Sequence, residues 1–193
     1  MELFAEHGYD GTTVAEIAER AGLTERTFFR HFADKREVLF AGSDELAERV
    51  AQLVVDLPPA PPLAAVTAAL SSAFGDQLDG LLSWARQRQA VIAANRELGE
   101  REVAKLGSLT AAISQALGRR GVDGPTARLA AEAGMVAFRV AFDRWIADDL
   151  PAGEPLGERI RRCAAELGTV TAAPLDLAQP DSAAATATST ASS

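Results

Sequence analysis

The chain has 193 residues, 48% hydrophobic and 24% charged, a balance that suits one large or two small globular domains and excludes a disordered chain. One cysteine, Cys163, excludes an intrachain disulfide framework and fits a reducing compartment; with His7 and His31 as the two histidines, the usual nitrogen and sulfur ligands of a zinc site cannot be assembled. The net charge of −8 excludes nucleic acid as a partner only for the average surface, because DNA binding depends on where the cations cluster.

Alanine and leucine recur at helical spacing from Leu3 to Leu167, aromatic residues are 6% of the chain, and no segment alternates as a strand does, so an all-α fold of about nine helices is predicted. The first helix runs from Glu2 to Gly8. The second begins at Thr13, where Thr13-Val14-Ala15-Glu16 forms a capping box, and ends at Gly22. The third runs from Thr24 to Phe32. The fourth runs from Asp34 to Asp56, with Glu37 completing a second cap. Pro58, Pro59, Pro61 and Pro62 end it; they also prevent the uncharged residues 57–75 from spanning a membrane. Five helices follow, at Leu63–Phe74, Asp76–Ala94, Arg96–Arg120, Pro125–Asp149 and Pro155–Gly168, interrupted at Gly75, at residues 121–124 and at residues 151–153. From Thr171 to Ser193 the composition shifts to Ala, Thr, Ser, Pro and Asp without periodicity, which reads as a disordered tail. No cationic start followed by an apolar core marks a signal peptide, so the expected address is the cytoplasm, with no membrane partner.

The informative stretch is Val14 to Ala33. Ala18 lies four residues before Gly22, a small side chain where two helices touch followed by a glycine for a left-handed turn. Ile17, Ala21, Leu23, Phe28 and His31 take the surrounding positions that lie against a domain. At about 100° per residue, Phe28 and Phe32 share the buried face of the third helix, and Arg26, Thr27 and Arg30 point the other way. Two arginines and a threonine on one exposed face suit bidentate contact to guanine and hydrogen bonds to phosphate. His31 fits a half-buried helix residue or a phosphate contact better than a base or ligand. Nothing pairs a nucleophile with a base, clusters metal ligands or cradles a phosphate in glycines, so no catalytic residue, metal or cofactor is expected and the chain is not read as an enzyme.

In the second half, Leu106, Leu109, Ile113 and Leu117 make one apolar stripe. Helix Pro125–Asp149 is apolar almost all round and needs partners on two sides: its own core, and an identical helix across a two-fold axis. Arg139 and Asp143 are spaced to pair at i,i+4. A pocket is expected between the middle helices and this long one, lined by Trp84, Arg88, Phe138, Phe142 and Trp145. Cys163 is expected to be a small buried side chain.

The gapless run from Gly8 to Lys35, Gly-Tyr-Asp-Gly-Thr-Thr-Val-Ala-Glu-Ile-Ala-Glu-Arg-Ala-Gly-Leu-Thr-Glu-Arg-Thr-Phe-Phe-Arg-His-Phe-Ala-Asp-Lys, resembles the DNA-binding domain of the TetR/AcrR family of bacterial repressors. The resemblance implies a three-helix DNA-binding domain over residues 1–42, with the helix-turn-helix at 13–32. An effector-binding and dimerisation domain over 43–170 and the tail at 171–193 would follow. It implies a homodimer on a palindromic double-stranded operator, with Thr13 capping its helix beside a phosphate. Thr24, Arg26, Thr27, Arg30 and His31 would lie on or beside the reading helix, and Lys35 would meet the DNA backbone. Phe29 stands where the family carries a tyrosine whose hydroxyl binds phosphate, a loss of about 1 kcal/mol. The family's first helix is longer and follows a basic arm. Here three cations face six acids before Ala33, so the native start is expected upstream, or part of the DNA grip is lost.

In such proteins the last two helices form a four-helix dimer interface, which implies Val136 and Val140 on one and Ile160, Ala164 and Leu167 on the other. The stretch from residue 94 to residue 145 is also similar to the mycofactocin-regulator branch, implying a small apolar or acyl-type effector with Arg86, Arg88 and Arg96 near coenzyme phosphates. The function implied is a dimeric repressor released by that effector. The alternative is a small-molecule-binding helical dimer that has lost DNA binding.

Overall fold

The structure, a computed structural model, describes residues 1–78, 80–147 and 154–172. Among these it contains nine α-helices, one 3-10 helix and no strand. In chain order they are α1 (Glu2–Gly11), α2 (Val14–Arg20), α3 (Glu25–His31), the 3-10 helix η1 (Lys35–Phe40), α4 (Ser43–Asp56), α5 (Pro62–Leu78), α6 (Leu82–Ala93), α7 (Arg96–Arg119), α8 (Gly124–Ala147) and α9 (Leu156–Thr171). The predicted tail falls almost wholly at residues 173–193, outside the described residues, as do the predicted break at 151–153 and the last residues of the long helix. No described helix is long and apolar enough to cross a membrane.

Two cores hold the chain. The larger joins α4, α5, α7, α8 and α9 through side chains such as Val50, Leu70, Ile113, Leu117, Met135 and Ile160. The smaller joins Phe4 of α1, Leu39 and Phe40 of η1, Ile92 of α6 and Leu98 of α7, with Tyr9 and Ile17 at its edge. This second cluster ties the amino-terminal helices to the bundle. Cys163 is 3% exposed, and burial pushes its thiol above the ordinary range, which suits a packing role.

Several predicted elements differ. The first helix continues to Gly11 across a kink at Gly8 (φ 72, ψ 171). The single helix expected over Asp34–Asp56 is two pieces. The Asp34 carboxylate accepts the Arg36 N–H at 2.8 Å and opens the tight η1 turn, and Gly42, at φ 79, redirects the chain before α4. Glu37 makes no second cap; its carboxylate pairs with Arg101. Gly75 does not interrupt α5, which continues to Leu78. It packs instead on Gly157 of α9, with its absent Cβ position only 3.4 Å from the Gly157 Cα. The break falls around Gly80, and α6 therefore starts at Leu82.

Candidate nucleic-acid interface and ligand cavity

The helix-turn-helix is built from local hydrogen bonds. Thr13 and Glu16 form a reciprocal cap: the Thr13 hydroxyl accepts the Glu16 N–H at 3.2 Å, and the Glu16 carboxylate accepts the Thr13 N–H at 2.7 Å and its hydroxyl at 2.9 Å. Those donors hold the Glu16 carboxyl below its usual range. Ala18, 1% exposed, lets α2 and α3 touch, and Gly22 turns the chain at φ 68. Thr24 caps α3 by accepting the Thr27 N–H at 3.2 Å, and its hydroxyl also meets that of Thr27 at 3.0 Å.

On α3, Phe28 is buried and stacks on the half-buried Phe32 at 5.2 Å and edge-on against Phe29 at 5.4 Å. Arg26, Phe29, Arg30 and His31 are exposed, and Thr27 is half-buried. Ala21, Leu23 and His31 are thus corrected: they face outward rather than against the domain, and the His31 Nε2 lies 3.3 Å from an Arg30 nitrogen.

The other nearby cations are held internally. Arg20 pairs with Glu2 at 2.7 Å, and Arg36 with Asp34 at 2.5 Å and Glu97 at 3.4 Å. Lys35 also departs from its expected place. Its ammonium donates to the carbonyls of Tyr9 at 2.7 Å and Thr12 at 3.0 Å, and sits 4.3 Å from the centre of the Tyr9 ring. There it caps the end of α1. Arg26 and Arg30 are the arginines and lysines of residues 1–41 without a carboxylate or carbonyl partner among the described residues.

Three ion pairs run along the junction with α7. Arg36 meets Glu97, Glu37 meets Arg101, and Asp44 of α4 meets Lys105 at 2.9 Å, so successive turns of one α7 face take partners from η1 and α4. Beside them lies a cavity of about 410 Å³ bounded by η1, α4, α5, α6, α7 and α8. Four of the five residues expected to line a pocket, Trp84, Arg88, Phe138 and Phe142, meet there. Trp145 does not: it is 6% exposed in the large core, 5.9 Å from the Phe142 ring. Glu102 and Lys105 of α7 and Phe74 of α5 line the cavity and were not foreseen. The available signal was that Lys105 immediately precedes the apolar stripe beginning at Leu106, and Glu102 lies one helical turn before that stripe.

Of the three arginines assigned to phosphates, Arg88 alone lines the cavity. Arg86 donates to the Ile146 carbonyl at 2.7 Å, and Arg96, 92% exposed, pairs with Glu100. Arg139 and Asp143 form no ion pair with each other. On α8, Leu129, Val136 and Val140 form an exposed apolar stripe, whereas Ile160 and Ala164 of α9 are buried in this chain's own core; Leu167 is half-buried.

A doubly capped helix pair with two uncommitted arginines on its outer face, seated on an α-helical bundle, defines a helix-turn-helix protein. Residues 1–41 match the family described as bacterial regulatory proteins, tetR family. The HTH-type transcriptional regulator TcmR of Streptomyces glaucescens is 41% identical over 83 residues, which are 42% of this chain and 37% of that protein. The HTH-type transcriptional repressor AcnR of Corynebacterium diphtheriae is 42% identical over 53 residues, 28% of each. The matched stretches therefore span less than half the length of these curated relatives. A TetR-family transcriptional regulator from Mesorhizobium loti MAFF303099 has a crystal structure that superposes with a TM-score of 0.55, over 87% of this chain and 89% of that one, at 21% identity, a likeness of fold. The family match is thus carried by residues 1–41, the stretch that forms the helix-turn-helix and its flanks.

Proposed function

We propose that the chain is a dimeric transcriptional repressor acting in the cytoplasm, released from a palindromic operator by a small molecule bound in the cavity. The observation that carries this reading is the outward pair Arg26 and Arg30 on the capped α3, opposite the buried Phe28, in a domain of TetR type. α3 would enter the major groove, with its arginines on guanine edges, Thr27 beside them, and Thr13 and Thr24 at helix starts near phosphates. The exposed α8 stripe would meet its copy across a two-fold axis, setting the two reading helices about 34–36 Å apart or at a multiple of that. Residues 1–42 would serve as the DNA-binding unit and 43–170 as the effector and dimer unit.

The test is fluorescence anisotropy of the chain on its own upstream intergenic DNA over a salt series. Tight binding that falls linearly on a log–log salt plot is expected. Absence of salt-dependent binding would overturn the reading. It would leave the second one, a ligand-binding dimer without DNA affinity, which the excess of acids over cations before Ala33 favours.

A further inference from the structure

The cavity has two chemically distinct ends. Phe74, Leu109, Phe138 and Phe142 supply an apolar one, contributed by α5, α7 and α8, where the exposed and oppositely charged Arg139 and Asp143 of α8 also line the cavity. At the other, towards η1 and α4, stand Arg88, Glu102 and Lys105, whose side chains are only 17%, 21% and 16% exposed. Arg88 pairs with Glu102 at 2.8 Å. Lys105 pairs with Asp44, whose side chain is 73% exposed. The carboxylate that balances Lys105 therefore lies largely in water, and the sheltered part of the wall holds two cations against one acid. A field of that sign, away from bulk water, favours an anion and disfavours an ammonium.

Arg88 has donors to spare. Its Nε donates to the Leu39 carbonyl at 3.0 Å and its Nη1 to Glu102, and its guanidinium lies 5.1 Å from the Phe40 ring centre. Among the described residues its remaining N–H groups have no hydrogen-bond acceptor. The Leu39 bond is a strut from α6 to the last turn of η1, hence to the small core that carries the helix-turn-helix. A carboxylate docking on the side-on edge of a guanidinium takes Nε and one terminal nitrogen together, two parallel bonds to a full opposite charge where the neutral Leu39 carbonyl accepts only one.

We propose that this cavity takes an amphipathic acid, an aromatic or alicyclic body bearing one carboxylate, and that the carboxylate docks on Arg88 and displaces the Leu39 carbonyl. The ligand class stands on the cavity alone; the consequence for DNA rests on the repressor reading above.

The test is calorimetric titration of the full chain with three probes of one skeleton: naphthylacetate, naphthylethanol and naphthylethylamine. Naphthylacetate is expected to bind at least about tenfold tighter than the other two, a difference set by the head group alone. Arg88→Met should abolish that preference, and Glu102→Gln, which removes the competing carboxylate, should tighten the acid further. A purely structural role for the pair would not produce that gain. Equal or tighter binding of the alcohol or amine, or no binding of any probe to the parent chain, overturns the ligand class. Naphthylacetate should also weaken operator binding measured by anisotropy. If it binds through Arg88 and leaves DNA affinity unchanged, the displacement of Leu39 is overturned. A chain that never binds DNA overturns the repressor reading, while the ranking of the three probes still decides the ligand class.

Discussion

Arg26 and Arg30 differ from the cations around them in having no carboxylate or carbonyl partner among the described residues. Arg26→Ala or Arg30→Ala is expected to weaken operator binding by about 1–3 kcal/mol where the guanidinium reads a guanine. A side chain that only meets phosphate would instead flatten the log–log salt slope by about one; anisotropy over a salt series separates the two. Phe29 is 54% exposed on the same helix, and Phe29→Tyr is expected to tighten binding by about 1 kcal/mol if its ring faces a phosphate. The cap at Thr13 carries a pH dependence. Because the folded state lowers the Glu16 pKa, its stabilisation of α2 is complete above the ordinary glutamate range and is lost as pH falls through the lowered value. Wild type and Glu16→Gln should therefore differ in amide exchange of α2 at neutral pH and converge in acid. The Thr13 cap was legible in the sequence because it joins residues three apart. The place of Lys35 was not, since its carbonyl partners lie 23 and 26 residues away.

Helix boundaries were legible wherever a residue type forces them, as at the Pro58–Pro62 run or the Asn95 cap, whose side chain accepts the Leu98 N–H at 3.2 Å. Glycines misled because the same residue serves two purposes. Gly42 breaks a helix by adopting φ 79, and Gly75 continues one while admitting a neighbour. The two behave differently on substitution. Gly42→Ala is expected to cost about 1–2 kcal/mol through the left-handed backbone alone, with the surrounding space open. Gly157→Ala would place a Cβ 2.7 Å from the Ser71 carbonyl oxygen and force α9 away from α5, at about 1–3 kcal/mol. Thermal unfolding checks both, and the second should also disturb the buried Leu156 and Ile160 beside it.

For the whole molecule, periodicity gave the all-α architecture and the apolar character of α8, but not how that character divides. An amphipathic α9 looks the same whether its stripe meets a second copy or this chain's own α5 and α8. Ile160, fully buried, takes the second course, and Val136 and Val140, at 37% and 38% exposed, remain available. Val136→Glu with Val140→Glu is therefore expected to leave the fold intact and convert the proposed dimer to a monomer by light scattering, whereas Ile160→Glu should unfold the chain. The three ion pairs along α7 have a separate consequence, because their signs do not repeat. In order along that helix they read acid, base, base, against base, acid, acid on η1 and α4. Sliding α7 by one turn one way would set Arg101 against Arg36; the opposite slip would set Glu97 against Glu37. A surface pair of this kind contributes only about 0.2–1 kcal/mol where both partners are exposed, yet either slip trades an attraction for a repulsion. The seam is keyed like a lock to a single register, so any movement that a ligand transmits to the helix-turn-helix is a tilt about this edge rather than a ratchet along it.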